Sequence, residues 1–180
     1  MAELFYTIGH STRPISEFVE LLADAGVVLV ADVRAVPRSR TNPQYNKETM
    51  PQTLHTFGID YQHFASLGGL RGKARSVPAT TNAFWGNPGF HNFADYAMSA
   101  AFRAGIDELR QAASGRRSAI MCAETLWWRC HRRIIADYLI AGHERVFHIL
   151  GKGHIELASL TAAARVGSHG TLIYPGAAAM

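Results

Sequence analysis

The apolar run from Val27 to Val33 is the feature that most constrains how this chain can fold. It contains one polar residue, Asp32, and otherwise consists of valine, leucine and alanine. Such a run predicts a strand buried on both faces, as in parallel sheets covered by helices. A shorter apolar strand precedes it at Leu4 to Ile8, and apolar residues recur at helical spacing from Phe18 to Ala25. This order of strand, helix and strand predicts a right-handed βαβ unit with parallel strands.

The rest of the chain continues the alternation. Apolar periodicity predicts three further strands and four further helices, the strands at Ile59–Phe64, Ser118–Cys122 and Val146–Leu150 and the helices at about Pro51–Gly58, Phe93–Ala113, Cys130–Ala141 and Ile155–Arg165. Segments 34–46 and 67–90 are predicted loops, and a loop as long as the second is often a functional lid. We predict that the tail from Gly167 is loosely held. The pattern predicts a single-domain three-layer α/β sandwich over residues 1–180, with a mostly parallel sheet.

Composition narrows the class of protein. The chain of 180 residues is 48% hydrophobic and 18% charged, which is typical of globular rather than disordered proteins. No apolar run approaches the ~20 residues of a membrane-spanning helix, and the first residues lack the basic and apolar regions of a signal peptide. We therefore expect a cytoplasmic protein without a membrane partner. Its two cysteines are expected to be free thiols.

Polar residues follow three of the predicted strands at the point where each strand ends. Gly9-His10-Ser11 follows the first strand, Asp32 and Arg34 end the second, and Cys122-Ala123-Glu124 follows the strand that begins at Ser118. Cys130-His131-Arg132 comes shortly afterwards, at the predicted start of a helix. Because α/β folds bind ligands beyond the carboxyl ends of their parallel strands, we expect these side chains to form one site.

These motifs, in this order, resemble the family of domains of unknown function 488 (DUF488). The resemblance rests on Thr7-Ile8-Gly9-His10-Ser11, on Asp32-Val33-Arg34 with Pro37, Ser39 and Arg40, on Leu67-Gly68-Gly69, and on Cys122-Ala123-Glu124 with Cys130-His131-Arg132. It extends from about Leu4 to Leu150 and leaves residues 151–180 as a C-terminal extension. The resemblance implies that these residues are the family's hallmark positions, and it implies little about activity because the family has no settled reaction.

The cysteine segment admits an anion-binding loop or a metal site. Phosphatases that form a cysteinyl phosphate place a cysteine between a strand and a helix, and so do rhodaneses. Their loops need glycines so that the backbone amides converge on the anion. Segment 123–128 of this chain contains no glycine. A metal site would hold zinc or iron through Cys122, Cys130 and His10. Cys130 and His131 are adjacent on a predicted helix and would point ~100° apart, so we do not expect both to bind one ion.

Acid–base and thiol chemistry form the third interpretation. We predict catalytic roles for Cys122, Glu124, Cys130 and His131, with Glu124 and His131 as general base and acid. Substrate or anion binding is predicted for His10, Ser11, Asp32, Arg34, Arg40 and Arg132.

The distribution of charge indicates an anionic partner. Residues 34–75 contain seven basic residues against Glu48 and Asp60, and residues 116–133 contain five against Glu124. Four aromatic residues are candidates for stacking on nucleic-acid bases, namely Tyr45, Trp85, Trp127 and Trp128. The leading hypothesis is an enzyme, a hydrolase or transferase, that acts on a phosphate-bearing substrate such as a nucleotide or nucleic acid. The alternatives are a non-catalytic module that binds nucleic acid or another partner, and a metal- or thiol-based redox protein.

Overall fold

The computed structural model describes residues 2–177, and a six-stranded sheet forms its centre. The strands are β1 (Leu4–Gly9), β2 (Leu29–Asp32), β3 (Asp60–His63), β4 (Ser118–Cys122), β5 (Arg145–Gly151) and β6 (His154–Leu157). Their order is β3-β2-β4-β1-β5-β6, and only β6 runs antiparallel to its neighbour. The predicted α/β fold with a mostly parallel sheet is confirmed.

Helices cover both faces of this sheet. They are α1 (Ile15–Asp24), α2 (Met50–His55), α3 (Pro88–Tyr96), α4 (Ala100–Ala113) and α5 (Arg132–Ala141). One core packs α1 and α2 against the sheet through Phe18, Leu22 and Leu54, and the second packs α3, α4 and α5 through residues such as Phe93 and Ile134. The molecule therefore has three layers. Among residues 2–177, no helix is both long enough and apolar enough to cross a membrane.

Two of the predicted helices are not present as continuous helices. The single helix predicted from Phe93 to Ala113 is two helices, because the Ser99 hydroxyl accepts a hydrogen bond from Phe102 N and begins α4. The helix predicted from Ile155 to Arg165 is wrong: its first residues belong to β6, which pairs with β5 through a turn that includes Gly153 in a left-handed conformation (φ 67°).

The predicted loose tail from Gly167 is also wrong as far as residue 177. Strands β7 (Arg165–Val166) and β8 (Leu172–Ile173) form a small antiparallel pair. Tyr174 is fully buried, and its hydroxyl donates to Asp137 Oδ2 at 2.9 Å. This hydrogen bond ties the chain after Gly167 to α5. The rest of the predicted tail, residues 178–180, lies outside the described residues.

The register of the parallel strands aligns the predicted strand-end motifs. Gly9 lies opposite Cys122, and Asp32 lies opposite Met121. Backbone hydrogen bonds continue past the strands, because His10 N donates to Cys122 O at 2.9 Å. The three strand ends therefore meet at one edge of the sheet.

Candidate functional site

Two free thiols lie at this edge of the sheet. Cys122 is the last residue of β4, and Cys130 lies two residues before α5. Their Sγ atoms are 2.8 Å apart, and the residues are only 4% and 6% exposed. At this separation one thiol donates a hydrogen bond to the sulfur of the other.

The surroundings of the two sulfur atoms differ in a way that decides which one keeps its proton. Burial raises the pKa of the Cys122 thiol well above its usual range, and the hydrogen bond to Cys130 raises it further. Burial also acts to raise the pKa of Cys130, but the hydrogen bond from Cys122 and the neighbouring His131 and Arg132 hold it well below the usual range. Cys122 therefore holds its proton more strongly, and Cys130 ionises more readily to the thiolate, the nucleophilic form of cysteine.

The first turn of α5 stabilises this thiolate. Cys130 Sγ accepts hydrogen bonds from Arg132 N at 3.4 Å and from Arg132 Nε at 3.3 Å. The partial positive charge at a helix N-terminus favours an anion in the same place. A fixed guanidinium and a backbone amide thus both point at one sulfur atom.

His131 lies where it can exchange a proton with Cys130. Its Nε2 is 2.8 Å from the Val33 carbonyl oxygen, which can only accept, so Nε2 carries a hydrogen. Its Nδ1 lies 3.5 Å from Cys130 Sγ. The predicted divergence of the two side chains is wrong, because Cys130 has an extended backbone and α5 begins only at Arg132. Gly69 leaves room for the ring, since a Cβ there would lie 2.6 Å from Nδ1.

A buried hydrogen-bonded chain holds Arg132 beneath the thiols. Its Nη2 donates to the Glu124 carbonyl, and its Nη1 donates to Thr7 Oγ1 at 3.5 Å. The Thr7 hydroxyl lies 2.7 Å from His148 Nδ1, and the His148 ring stacks on Trp127 at 4.2 Å between centroids. Arg132 therefore contacts the sulfur atoms from below rather than facing the solvent.

Thr7 and His148 were not among the predicted site residues. The two lie opposite each other in the parallel pairing of β1 with β5. Thr7 belongs to the motif Thr7-Ile8-Gly9-His10-Ser11 that carries the resemblance, and the signal for His148 was a polar residue within an otherwise apolar strand. Their partnership depends on strand order, which the sequence pattern did not supply.

Asp32 orients Arg34, and the pair is buried at the edge of the site. The carboxylate accepts from Arg34 Nε at 2.9 Å and Nη2 at 2.7 Å, and from the Tyr61 hydroxyl at 2.5 Å. Arg34 Nη1 lies 3.1 Å from His10 Nε2. The other ring nitrogen, His10 Nδ1, lies 2.8 Å from the Ser11 carbonyl and so carries the hydrogen, which leaves Nε2 to accept from Arg34.

An open cleft of about 390 Å³ lies over the thiols. Its polar lining includes Arg34, Asn87, Glu124 and Arg129, and its apolar lining includes Val36, Leu70 and Phe90. Part of this lining comes from segment 67–90, the long predicted loop. The Glu124 carboxylate accepts from Leu126 N through Oε1 at 3.0 Å, and its second oxygen has no hydrogen-bond donor among residues 2–177.

The predicted site residues occupy four different positions. The cleft is lined by Cys122, Glu124, Cys130, His131 and Arg34. An adjoining cavity is lined by His10 and Ser11 together with Arg34, and Asp32 and Arg132 are buried behind these groups. Arg40 is exposed and lines neither cavity. The arginine of the same loop that lines the adjoining cavity is Arg38.

Three backbone amides of the cysteine segment donate to groups of the loop itself. The amide of Leu126 donates to the Glu124 side chain. The amides of Arg129 and Cys130 donate to carbonyls of the same turn, at 3.0 and 3.2 Å. These amides are therefore engaged within the loop.

The structure does not assemble the predicted metal ligands. Among residues 2–177, no three histidine, cysteine or acidic side chains come together as a metal site. Of the candidate set Cys122, Cys130 and His10, the histidine has both ring nitrogens engaged, with Ser11 and Arg34. The positive charge beside the thiols is that of the Arg132 guanidinium.

Two buried histidines predict that acid destabilises the fold. Burial lowers the pKa of His10 to about 4, although the hydrogen bond to Ser11 acts in the opposite direction. Burial and the positive charge of Arg132 together lower the pKa of His148 to about 4. In the unfolded chain both pKa values return to about 6.5, so between these values the unfolded state binds more protons. We expect the free energy of unfolding to fall by roughly 2 kcal/mol per histidine from pH 7 to pH 5.

Urea unfolding at the two pH values measures this loss. The H148Q variant removes one of the two titrations, so its stability should depend less on pH than that of the wild type. An equal loss in both proteins would show that His148 does not contribute.

Comparison with known proteins places the chain in a family. The model of the family described as "Domain of unknown function DUF488" matches residues 14–139. The matched range includes Asp32, Arg34 and the cysteine segment, while Gly9-His10-Ser11 lies before it. Searches of curated proteins and of solved structures found no match. Because the family model matches more than half of the chain, the chain belongs to the DUF488 family.

Proposed function

We propose that this protein is a thiol-dependent oxidoreductase that reduces a small molecule in the cleft. The observation that carries the proposal is the pair of sulfur atoms 2.8 Å apart whose pKa values are displaced in opposite directions. A dithiol of this kind supplies a nucleophile, Cys130, and a second thiol, Cys122, that is placed to resolve the adduct.

The reaction balances for a substrate with a disulfide bond. The Cys130 thiolate attacks one sulfur of the substrate, forms a mixed disulfide, and expels the other sulfur as a thiolate that takes the proton of Cys122. The Cys122 thiolate then attacks Cys130 Sγ and expels the second substrate thiolate, which takes a proton from water. The substrate disulfide is reduced by two electrons, the Cys122–Cys130 pair is oxidised to a disulfide, and an external dithiol reduces that pair again.

The depth of the sulfur atoms favours a small substrate. Cys122 and Cys130 are 4% and 6% exposed and are reached through the cleft. Attack on a disulfide requires the incoming sulfur to approach along the axis of the bond that breaks. A disulfide within a folded protein would not reach Cys130 without a change in the cleft wall, whereas a small molecule fits the cleft volume.

Oxidation by hydroxyethyl disulfide tests the proposal. In the wild type we expect both free thiols to disappear and the mass of the protein to fall by two hydrogen atoms. When dithiothreitol is supplied to reduce the Cys122–Cys130 disulfide again, the protein should reduce hydroxyethyl disulfide over many cycles. The C130S variant should not react, and C122S should stop as a mixed disulfide on Cys130. If both thiols stay free in excess disulfide, or if C122S forms no adduct, the proposal is contradicted.

A second candidate is transfer or hydrolysis on a phosphate-bearing substrate, such as a nucleotide or nucleic acid. Two neighbouring residues favour it: Arg129 is exposed and lines the cleft, and Trp128 is 43% exposed, whereas Tyr45 and Trp85 are buried. Chemistry of this kind needs the Cys130 nucleophile but no second thiol. Turnover of such a substrate by C122S at the wild-type rate would select it over the redox reaction.

A further inference from the structure

A second cavity of about 320 Å³ adjoins the cleft. It shares Arg34, Val36 and Ala123 with the cleft, so these residues border both spaces. Its polar lining consists of His10, Ser11, Thr12, Arg34, Arg38, Ser39 and Asn42. None of its lining residues is acidic, whereas the cleft contains Glu124.

Arg34 has one hydrogen-bond donor left over in this arrangement. A guanidinium carries five N–H groups. The Nε–H group and one N–H of Nη2 donate to the Asp32 carboxylate, and the other N–H of Nη2 donates to the Tyr45 carbonyl at 2.6 Å. One N–H of Nη1 donates to His10 Nε2. No acceptor among residues 2–177 takes the second Nη1 hydrogen. The residue is only 6% exposed and borders both cavities, so this buried donor lacks a partner at their boundary.

Arg38 supplies a positive charge that a ligand can recruit. The Arg34 charge is balanced by Asp32, so the net charge of the cavity comes from Arg38. Arg38 pairs with Glu48 at 3.4 Å, but the two side chains are 71% and 66% exposed. An ion pair this exposed contributes little to stability and is easily exchanged for another anion.

From these features we propose that the second cavity binds the phosphate group of the substrate, whose reactive part extends across Ala123 to Cys130. The inference rests on the proposed function in that Cys130 is the reacting group. Arg38 and the free Arg34 N–H would bind phosphate oxygens, and Ser11 lines the same cavity. The substrate class is a small phosphorylated molecule, with its reducible group near the thiols.

The loop that carries Arg38 also provides a matched control. Arg40 is two residues away and exposed like Arg38, but it does not line the cavity. We expect R38Q to weaken the binding of inorganic phosphate by about tenfold, the value of a hydrogen bond to a charged group. R40Q should leave the affinity within about twofold of the wild type, as expected for an exposed charge outside the site. Titration calorimetry at low salt measures both.

Phenyl phosphate tests whether the cavity and the cleft accept one molecule. Its ring is expected to lie against Val36 in the cleft and to slow alkylation of Cys130, and R38Q should remove this protection. Inorganic phosphate should bind without slowing alkylation as strongly. The absence of protection by bound phenyl phosphate would overturn the assignment of both spaces to one substrate.

The C130S variant separates a failure of this inference from a failure of the proposed function. Phosphate should bind C130S as tightly as it binds the wild type, because the cavity does not include the thiol. The absence of phosphate binding in both proteins, or an equal loss in R38Q and R40Q, would overturn the phosphate site whatever the thiols do. Binding of an oligonucleotide but not of phosphate or phenyl phosphate would assign the surface to a polymer and also overturn it.

Discussion

Iodoacetamide is expected to alkylate Cys130 at a rate that changes little between pH 9 and pH 7. A thiol with an ordinary pKa of about 8.5 loses roughly 25-fold in thiolate over that interval. The hydrogen bond from Cys122, together with His131 and Arg132, holds the pKa of Cys130 well below that range against the opposing effect of burial. The thiolate fraction, and with it the rate, should therefore fall by far less than about 25-fold.

Single substitutions at the two thiols give this experiment its controls. In C130S the fast phase should vanish, because the pKa of Cys122 is raised by burial and that thiol stays protonated. In C122A the Cys130 thiolate loses a hydrogen-bond donor, so its pKa should rise and the pH profile should become steeper. Peptide mapping identifies the labelled residue. A wild-type profile as steep as that of glutathione, or fast labelling of Cys122, would contradict the assignment of the nucleophile.

The sequence predicted the sheet and the edge at which its polar strand ends meet, because both depend on local patterns. Buried strands such as Val27–Val33 are recognisable as apolar runs, and parallel strands place their carboxyl ends together. Cys122 and Arg34 were expected at one edge of the sheet, and they line one cleft. The helix predicted from Ile155 to Arg165 failed because pairing with β5 overrode the local pattern.

The roles of individual side chains depended on contacts between distant segments. Asp32 and Arg34 are only two residues apart, but it is the Tyr61 hydroxyl and His10 that complete their network. A shift of two residues in the start of α5 brought His131 Nδ1 next to Cys130 Sγ, although a continuous helix would have separated them. The boundaries of helices are the least certain part of a sequence pattern, and here one boundary decides the chemistry.

The Gly9→Ala substitution is expected to cause a large loss of stability at the base of the site. Gly9 pairs with Cys122 at the end of β1, and a Cβ at this position would lie 1.9 Å from the Glu124 carbonyl oxygen and 2.7 Å from Thr125 Cα. Both are backbone atoms, and the Glu124 carbonyl also accepts from Arg132. The loop after β4 would have to move, and we expect a loss of at least about 3 kcal/mol.

Thermal unfolding of G9A beside G72A checks this expectation. Nothing lies within 4 Å of a Cβ placed at Gly72, so G72A should unfold within about 0.5 kcal/mol of the wild type. For a chain of this length, the loss in G9A corresponds to a midpoint lower by roughly 6–12 °C. Because the displaced carbonyl belongs to the network beneath the thiols, folded G9A should also lose the fast alkylation of Cys130. If G9A were as stable as G72A, the strand ends could not be packed as closely as described, and the thiols would owe their reactivity to some other arrangement.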